Sequence, residues 1–119
     1  MPSSEGDSSW TFVRYASESA PPEAARFQEL SGCPVEEGGI TTRLDFDAYL
    51  ERLGRVEPWM DEGQKRSARG FRQLDRLFHR ELADLAVYRC ETGTAQVYIY
   101  FVGTDGERLA GLYTISIET

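Results

Sequence analysis

Residues able to do chemistry are few in this chain, and the most suggestive stand at its end. Thr119 carries a side-chain hydroxyl and the α-carboxylate on one residue, directly after Glu118. Hard oxygens of this kind bind magnesium or take the place of a phosphate, provided that something holds them still. The holding element is legible just upstream. Tyr113, Ile115 and Ile117 alternate with Thr114, Ser116 and Glu118, the period-two pattern of a half-buried strand that runs almost to the last residue. A domain that merely ends on a strand has the same pattern, so the pattern alone does not decide for a function.

The other reactive side chains offer little. His79 is the single histidine, with no second histidine, paired cysteine or nucleophile motif near it in sequence. Catalysis is therefore the weakest reading. Cys33 and Cys90 lie far apart and in no metal-ligand spacing. Sequence leaves a disulfide open; in a reducing cytoplasm two free thiols are the expectation.

The elements that must position these groups fit one domain of 119 residues, long enough to bury a core without staples. A net charge of −7 argues against nucleic acid or an anionic membrane as the partner of the whole surface. It suits a partner whose own site is built to receive phosphates. No apolar run approaches the length of a membrane span, and the start of the chain has no signal-peptide pattern, so the cytoplasm is the expected compartment. Charge is uneven along the chain: residues 64–82 hold 6 basic and 2 acidic residues, against the acidic remainder.

Residues 1–9, rich in Ser, Gly and acid, read as extended or mobile. Strand-like alternation follows over residues 10–15. Residues 26–30 fit a short strand or a helical turn, with strand preferred. Residues 40–44 read as a strand, and Asp45 and Asp47 offer N-caps for a helix whose apolar face is Phe46, Tyr49, Leu50 and Leu53, ended by Gly54. A long helix spans residues 59–82. It gathers Phe71, Leu74, Leu77, Phe78 and Leu82 on one side and Lys65, Arg66, Arg69, Arg72, Arg76 and Arg80 on the other, with His79 beside the basic face. Strands follow from Val87, from Ala95 and from Leu109, the last two joined by the hairpin signal Asp105-Gly106. In the middle strand Val97, Ile99 and Phe101 face one way and Tyr98, Tyr100 and Val102 the other. Both faces are apolar or aromatic, which calls for cover on both sides. The expected fold is α+β: a mainly antiparallel sheet with helices on each face, an α/β/α sandwich.

Against this frame, an ordered set of residues resembles one family. Val87-Tyr88-Arg89, Val97-Tyr98, Leu109-Ala110-Gly111 and the terminal Glu118-Thr119 are similar to the C-terminal half of nuclease A inhibitor-like proteins. Upstream, Ser4-Glu5, Ser19-Ala20-Pro21-Pro22, Asp45-Phe46-Asp47 and Trp59 with Asp61-Glu62 extend the likeness over nearly the whole chain. The resemblance implies a cytoplasmic protein, without cofactor or catalytic group, that inhibits a sugar-non-specific DNA/RNA nuclease carrying magnesium. It implies an active-site plug in which Thr119 reaches the partner's metal while Glu5 and Trp59 contact the enzyme. The acidic neighbours Glu57, Glu62 and Glu118 join the expected contact set. The free protein is expected to be a monomer, touching neither nucleic acid nor membrane. Two departures stand out. Only three residues precede Ser4 where family members carry a helix, and Glu57-Pro58 precede Trp59 where the family pattern is more amide-like.

Structural alternatives exist for each contact. Glu5 also fits a solvated tail, and Trp59 an apolar staple packed at a helix start. The basic stripe more simply solvates the outer face of an amphipathic helix than tracks phosphates. A different function on the same scaffold is a protein-binding module that uses this basic face without inhibiting a nuclease.

Overall fold

The computed structural model describes residues 10–36 and 38–117. Five strands form one antiparallel sheet in the order β1-β5-β4-β3-β2. They are β1 (Thr11–Tyr15), β2 (Ile40–Asp45), β3 (Ala83–Glu91), β4 (Gln96–Thr104) and β5 (Leu109–Ile117), and three helices accompany them: α1 (Ala24–Ser31), α2 (Phe46–Leu53) and α3 (Glu62–Glu81). The sandwich expected from the middle strand is present. On one face Tyr88, Tyr100 and Val102 pack with Phe27 of α1. On the other, Val87, Val97, Ile99 and Phe101 pack with Phe46, Tyr49 and Leu50 of α2 and Phe78 of α3. β4 is thus covered on both sides, as its two apolar faces require.

Local chemistry fixes the helix starts. The Asp45 carboxylate accepts from the Ala48 N–H at 2.9 Å and caps α2. At α3 a capping box operates: Asp61 accepts from the Gln64 N–H at 2.8 Å, and Gln64 accepts from the Asp61 N–H at 3.0 Å. The long helix therefore begins at Glu62, three residues after Trp59. The β4–β5 hairpin closes as Asp105-Gly106 predicts. Gly106 takes φ 103°, and the Asp105 carboxylate accepts the N–H groups of Glu107 and Arg108 at 2.9 and 3.0 Å. Those two hydrogen bonds hold its carboxyl below the usual range.

Four expectations are corrected. Residues 26–30 belong to helix α1, not to a strand. Phe27 and Leu30, three apart, both reach the same core cluster, which a strand would have sent to opposite faces. Leu77 is 41% exposed rather than part of the buried stripe, because it sits one helical step, about 100°, round from buried Phe78. Thr114, placed by alternation on the polar side of β5, is 7% exposed, since α3 covers the face it occupies. Cys33 and Cys90 are not free thiols but a disulfide. It ties the segment after α1 to β3, where Cys90 is buried in the same cluster as Phe27. The arginines of the long helix, in contrast, lie where amphipathicity puts them: Arg66, Arg69, Arg72, Arg76 and Arg80 are all exposed.

Candidate functional site

Strand pairing decides where the chain ends leave the sheet. β5 runs antiparallel to β1, with Thr11 opposite Tyr113, and antiparallel to β4, with Gln96 opposite Ile117. The chain therefore enters β1 and leaves β5 at one end of the sandwich. Glu5, Glu118 and Thr119 lie outside the described residues; β1 begins and β5 finishes at this end. Past Tyr113 only β4 still pairs with β5, and the strand opens to solvent after buried Thr114. Ile115 is half-buried and Ile117 is 65% exposed, so Ile117 is not the core contact that its alternation implies.

The long helix brings the third candidate to the same end. At its C-terminal end, Leu82 abuts Gly103, which pairs with Ala110 near the start of β5. Its N-terminal half lies instead over Thr114 and Ser116, with which Ser67 shares a cleft. Trp59 stands three residues before this helix, in a turn where the Met60 N–H donates to the Glu57 carbonyl at 3.1 Å. At 71% exposure Trp59 is no staple; it is the most exposed large apolar side chain among the described residues. Glu57 is half-buried in the same turn. Glu62, exposed in the first turn of α3, lies 4.0 Å from Lys65.

Beneath α3 lies a cleft of ≈ 680 Å³. Phe71 and Leu74 of α3 form one wall, and Ile99, Phe101 and Leu112 form the floor. Trp10 stands over them, its ring 6.2 Å from Phe71 and 5.8 Å from Phe101. Arg52, Arg89, Ser67 and Thr114 supply the polar lining. Of these only Arg89 stood in a segment quoted for the family resemblance, Val87-Tyr88-Arg89, and no motif gave any of them a role.

His79 sits outside this end of the molecule. Its Nε2 lies 2.6 Å from Asp47 Oδ1 at the start of α2 and 3.3 Å from Asp75 Oδ1 one turn back on α3. The three ligand atoms fall within 4.8 Å of one another, a spacing that could hold a metal. Asp47 and His79 are exposed, however, and the shared nitrogen is accounted for by a polar contact joining α2 to α3. His79 also stacks edge-on against Phe46.

With the geometry in place, comparison with known proteins adds one finding. The profile of nuclease A inhibitor-like proteins matches residues 1–119. The chain belongs to the nuclease A inhibitor-like family. No curated protein sequence matches it significantly. The sheet end where β1 begins and β5 finishes, with Trp59 exposed ahead of α3, is a candidate surface for a protein partner. Among the described residues no helix is long and apolar enough to cross a membrane.

Proposed function

We propose that this protein is a stoichiometric inhibitor of a magnesium-dependent, sugar-non-specific DNA/RNA nuclease, and that it contributes no catalytic group of its own. Family membership supports inhibition of a nuclease in general. The observation that carries the finer reading is the convergence of β1 entry, β5 exit and the Trp59 turn at one end of the sandwich. In this reading Thr119 extends from β5 into the enzyme's active site. Its carboxylate and hydroxyl meet the partner's magnesium where a scissile phosphate sits, which suits the preference of that ion for hard oxygen ligands. Glu5 and Glu118 flank the plug. Trp59 anchors the rim, with Glu57 and Glu62 beside it facing the basic groups of a site made for phosphates.

The anchor role has a direct test. Trp59→Ala removes an exposed ring, so the melting temperature stays within about 2 °C of wild type, the usual range for surface changes. Inhibition of a magnesium-dependent non-specific nuclease falls by about 30-fold or more, the size of a hot-spot loss. Undiminished potency of this variant, together with lost potency on charge reversal of Arg69 and Arg72, would move the contact to the basic face of α3. That face is the alternative, a protein-binding module without nuclease inhibition, and the continuous exposure of its arginines is what favours it.

A further inference from the structure

Where the start of α2 meets the last turn of α3, one imidazole nitrogen stands between two carboxylates. His79 Nε2 lies 2.6 Å from Asp47 Oδ1 and 3.3 Å from Asp75 Oδ1, and the three atoms fall within 4.8 Å of one another. The helices fix this arrangement. Asp75 and His79 are four residues apart on α3 and so share a face. Asp47 reaches them from the first turn of α2, where its neighbour Phe46 stacks on Phe78 and meets the His79 ring edge-on.

Hydrogen bonding at this point does not balance. A ring nitrogen carries at most one proton, so Nε2 serves one carboxylate well and not two. Asp47 takes that contact. Asp75 Oδ1 is left buried with no hydrogen-bond partner, although Nε2 is only 3.3 Å away. Among the described residues no lysine or arginine pairs with either aspartate, and Arg80, beside His79, is turned to Glu81 at 2.9 Å. A carboxylate oxygen shut off from water and unmatched is costly, and a cation among the three atoms relieves it. The C-terminal end of the α3 dipole also favours positive charge there.

We infer that Asp47, Asp75 and His79 bind one divalent transition-metal ion of the zinc class, which cross-links α2 to α3. Imidazole nitrogen and two carboxylate oxygens are ligands that zinc accepts, and water from the open side completes a tetrahedron. The nitrogen ligand selects against magnesium and calcium, which take shells of oxygen. One proton faces one acceptor, whereas a metal ion faces all three atoms at once. The polar contact between Asp47 and His79 is thus the metal-free form of the same ligand set. Both of these side chains are exposed, which gives the ion a way in from solvent as the imidazole turns off Asp75.

Protein without a histidine tag carries a single histidine, so its ring-nitrogen NMR resonances report this site alone. Zinc titration, followed by calorimetry and by those resonances, tests the inference, with a large excess of magnesium present to occupy other carboxylates. One zinc binds per chain, the Nε2 resonance moves to its metal-bound position, and the melting temperature rises with zinc concentration. Asp47→Asn, Asp75→Asn and His79→Gln each lower zinc affinity by about tenfold or more, the scale of losing one group from a metal site. No binding under excess magnesium, several weak sites, or an unmoved Nε2 resonance would each overturn the inference. So would zinc affinity unchanged by Asp75→Asn, or an equal rise in melting temperature in His79→Gln.

Discussion

Three tyrosines set the chemistry of the α1 side of the sheet. Phe27 stacks flat on Tyr88 at 3.8 Å and meets Tyr15 and Tyr100 edge-on. The Tyr88 hydroxyl donates to the Pro22 carbonyl, satisfying the polar end of a fully buried ring. Burial pushes the Tyr88 and Tyr100 hydroxyls up to about 12, and raises that of Tyr15 as well. Because the folded state resists deprotonation, it holds more protons than the unfolded chain once the pH passes 10. Stability is then fully present below pH 10 and is lost as the pH rises towards 12, with a slope of up to about 1.4 kcal/mol per pH unit for each tyrosine involved. Urea unfolding at pH 8, 10 and 11.5 checks this, and a stability flat across the series would contradict it. At this scale the sequence was partly legible. Alternation placed Tyr98 and Tyr100 opposite Val97 and Ile99 correctly, because β4 pairs along its length with β3 and β5. It misplaced Thr114 and Ile117, because period two says which residues share a face but not how far a helix or neighbouring strand covers it.

Among the elements, α1 is the one whose attachment pattern recognition missed. It is short, has no side-chain N-cap bond, and reaches the core chiefly through Phe27. The disulfide from Cys33 to Cys90, 57 residues apart, fastens the segment after it to β3. Closing a loop of that length is worth about 2–4 kcal/mol, mainly by restricting the unfolded chain. The double variant Cys33→Ser, Cys90→Ser accordingly loses about that much in urea unfolding, and hydrogen exchange in α1 accelerates more than in α3. Unchanged stability would mean that the helix is held by packing alone. The expectation of free thiols rested on a reducing compartment, since two isolated cysteines carry no sequence signal of their pairing; a persistent disulfide fits that premise poorly. Legibility was best for α2 and α3. Their apolar stripes are long enough to repeat and Asp45 marks the start of α2, but α3, expected from residue 59, begins only at Glu62, where Asp61 and Gln64 form the capping box.

Over the whole molecule, the proposed function turns on what the antiparallel register brings together rather than on any motif. Glu5, Trp59 and Thr119 are scattered in sequence, and resemblance to a family singled them out. The sheet order, which no local pattern encodes, is what puts the start of β1 and the finish of β5 at one end. The cleft escaped sequence reading for the same reason: Arg52, Arg89 and Thr114 meet only after three strands and two helices have packed. The central claim is that the carboxyl end of the chain is the working part of the inhibitor. Deleting Thr119 leaves the described core intact and draws the terminal carboxylate back by about 3.3 Å, one strand residue. Coordination at about 2.1 Å does not survive such a shift. Extending the chain past Thr119 converts the carboxylate to an amide and crowds the site. The decisive measurement is titration of a magnesium-dependent non-specific nuclease with wild type, the Thr119 deletion and a C-terminally extended form, with melting temperatures taken in parallel. The account predicts unchanged melting temperatures with inhibition lost in both variants; equal potency of all three would contradict it.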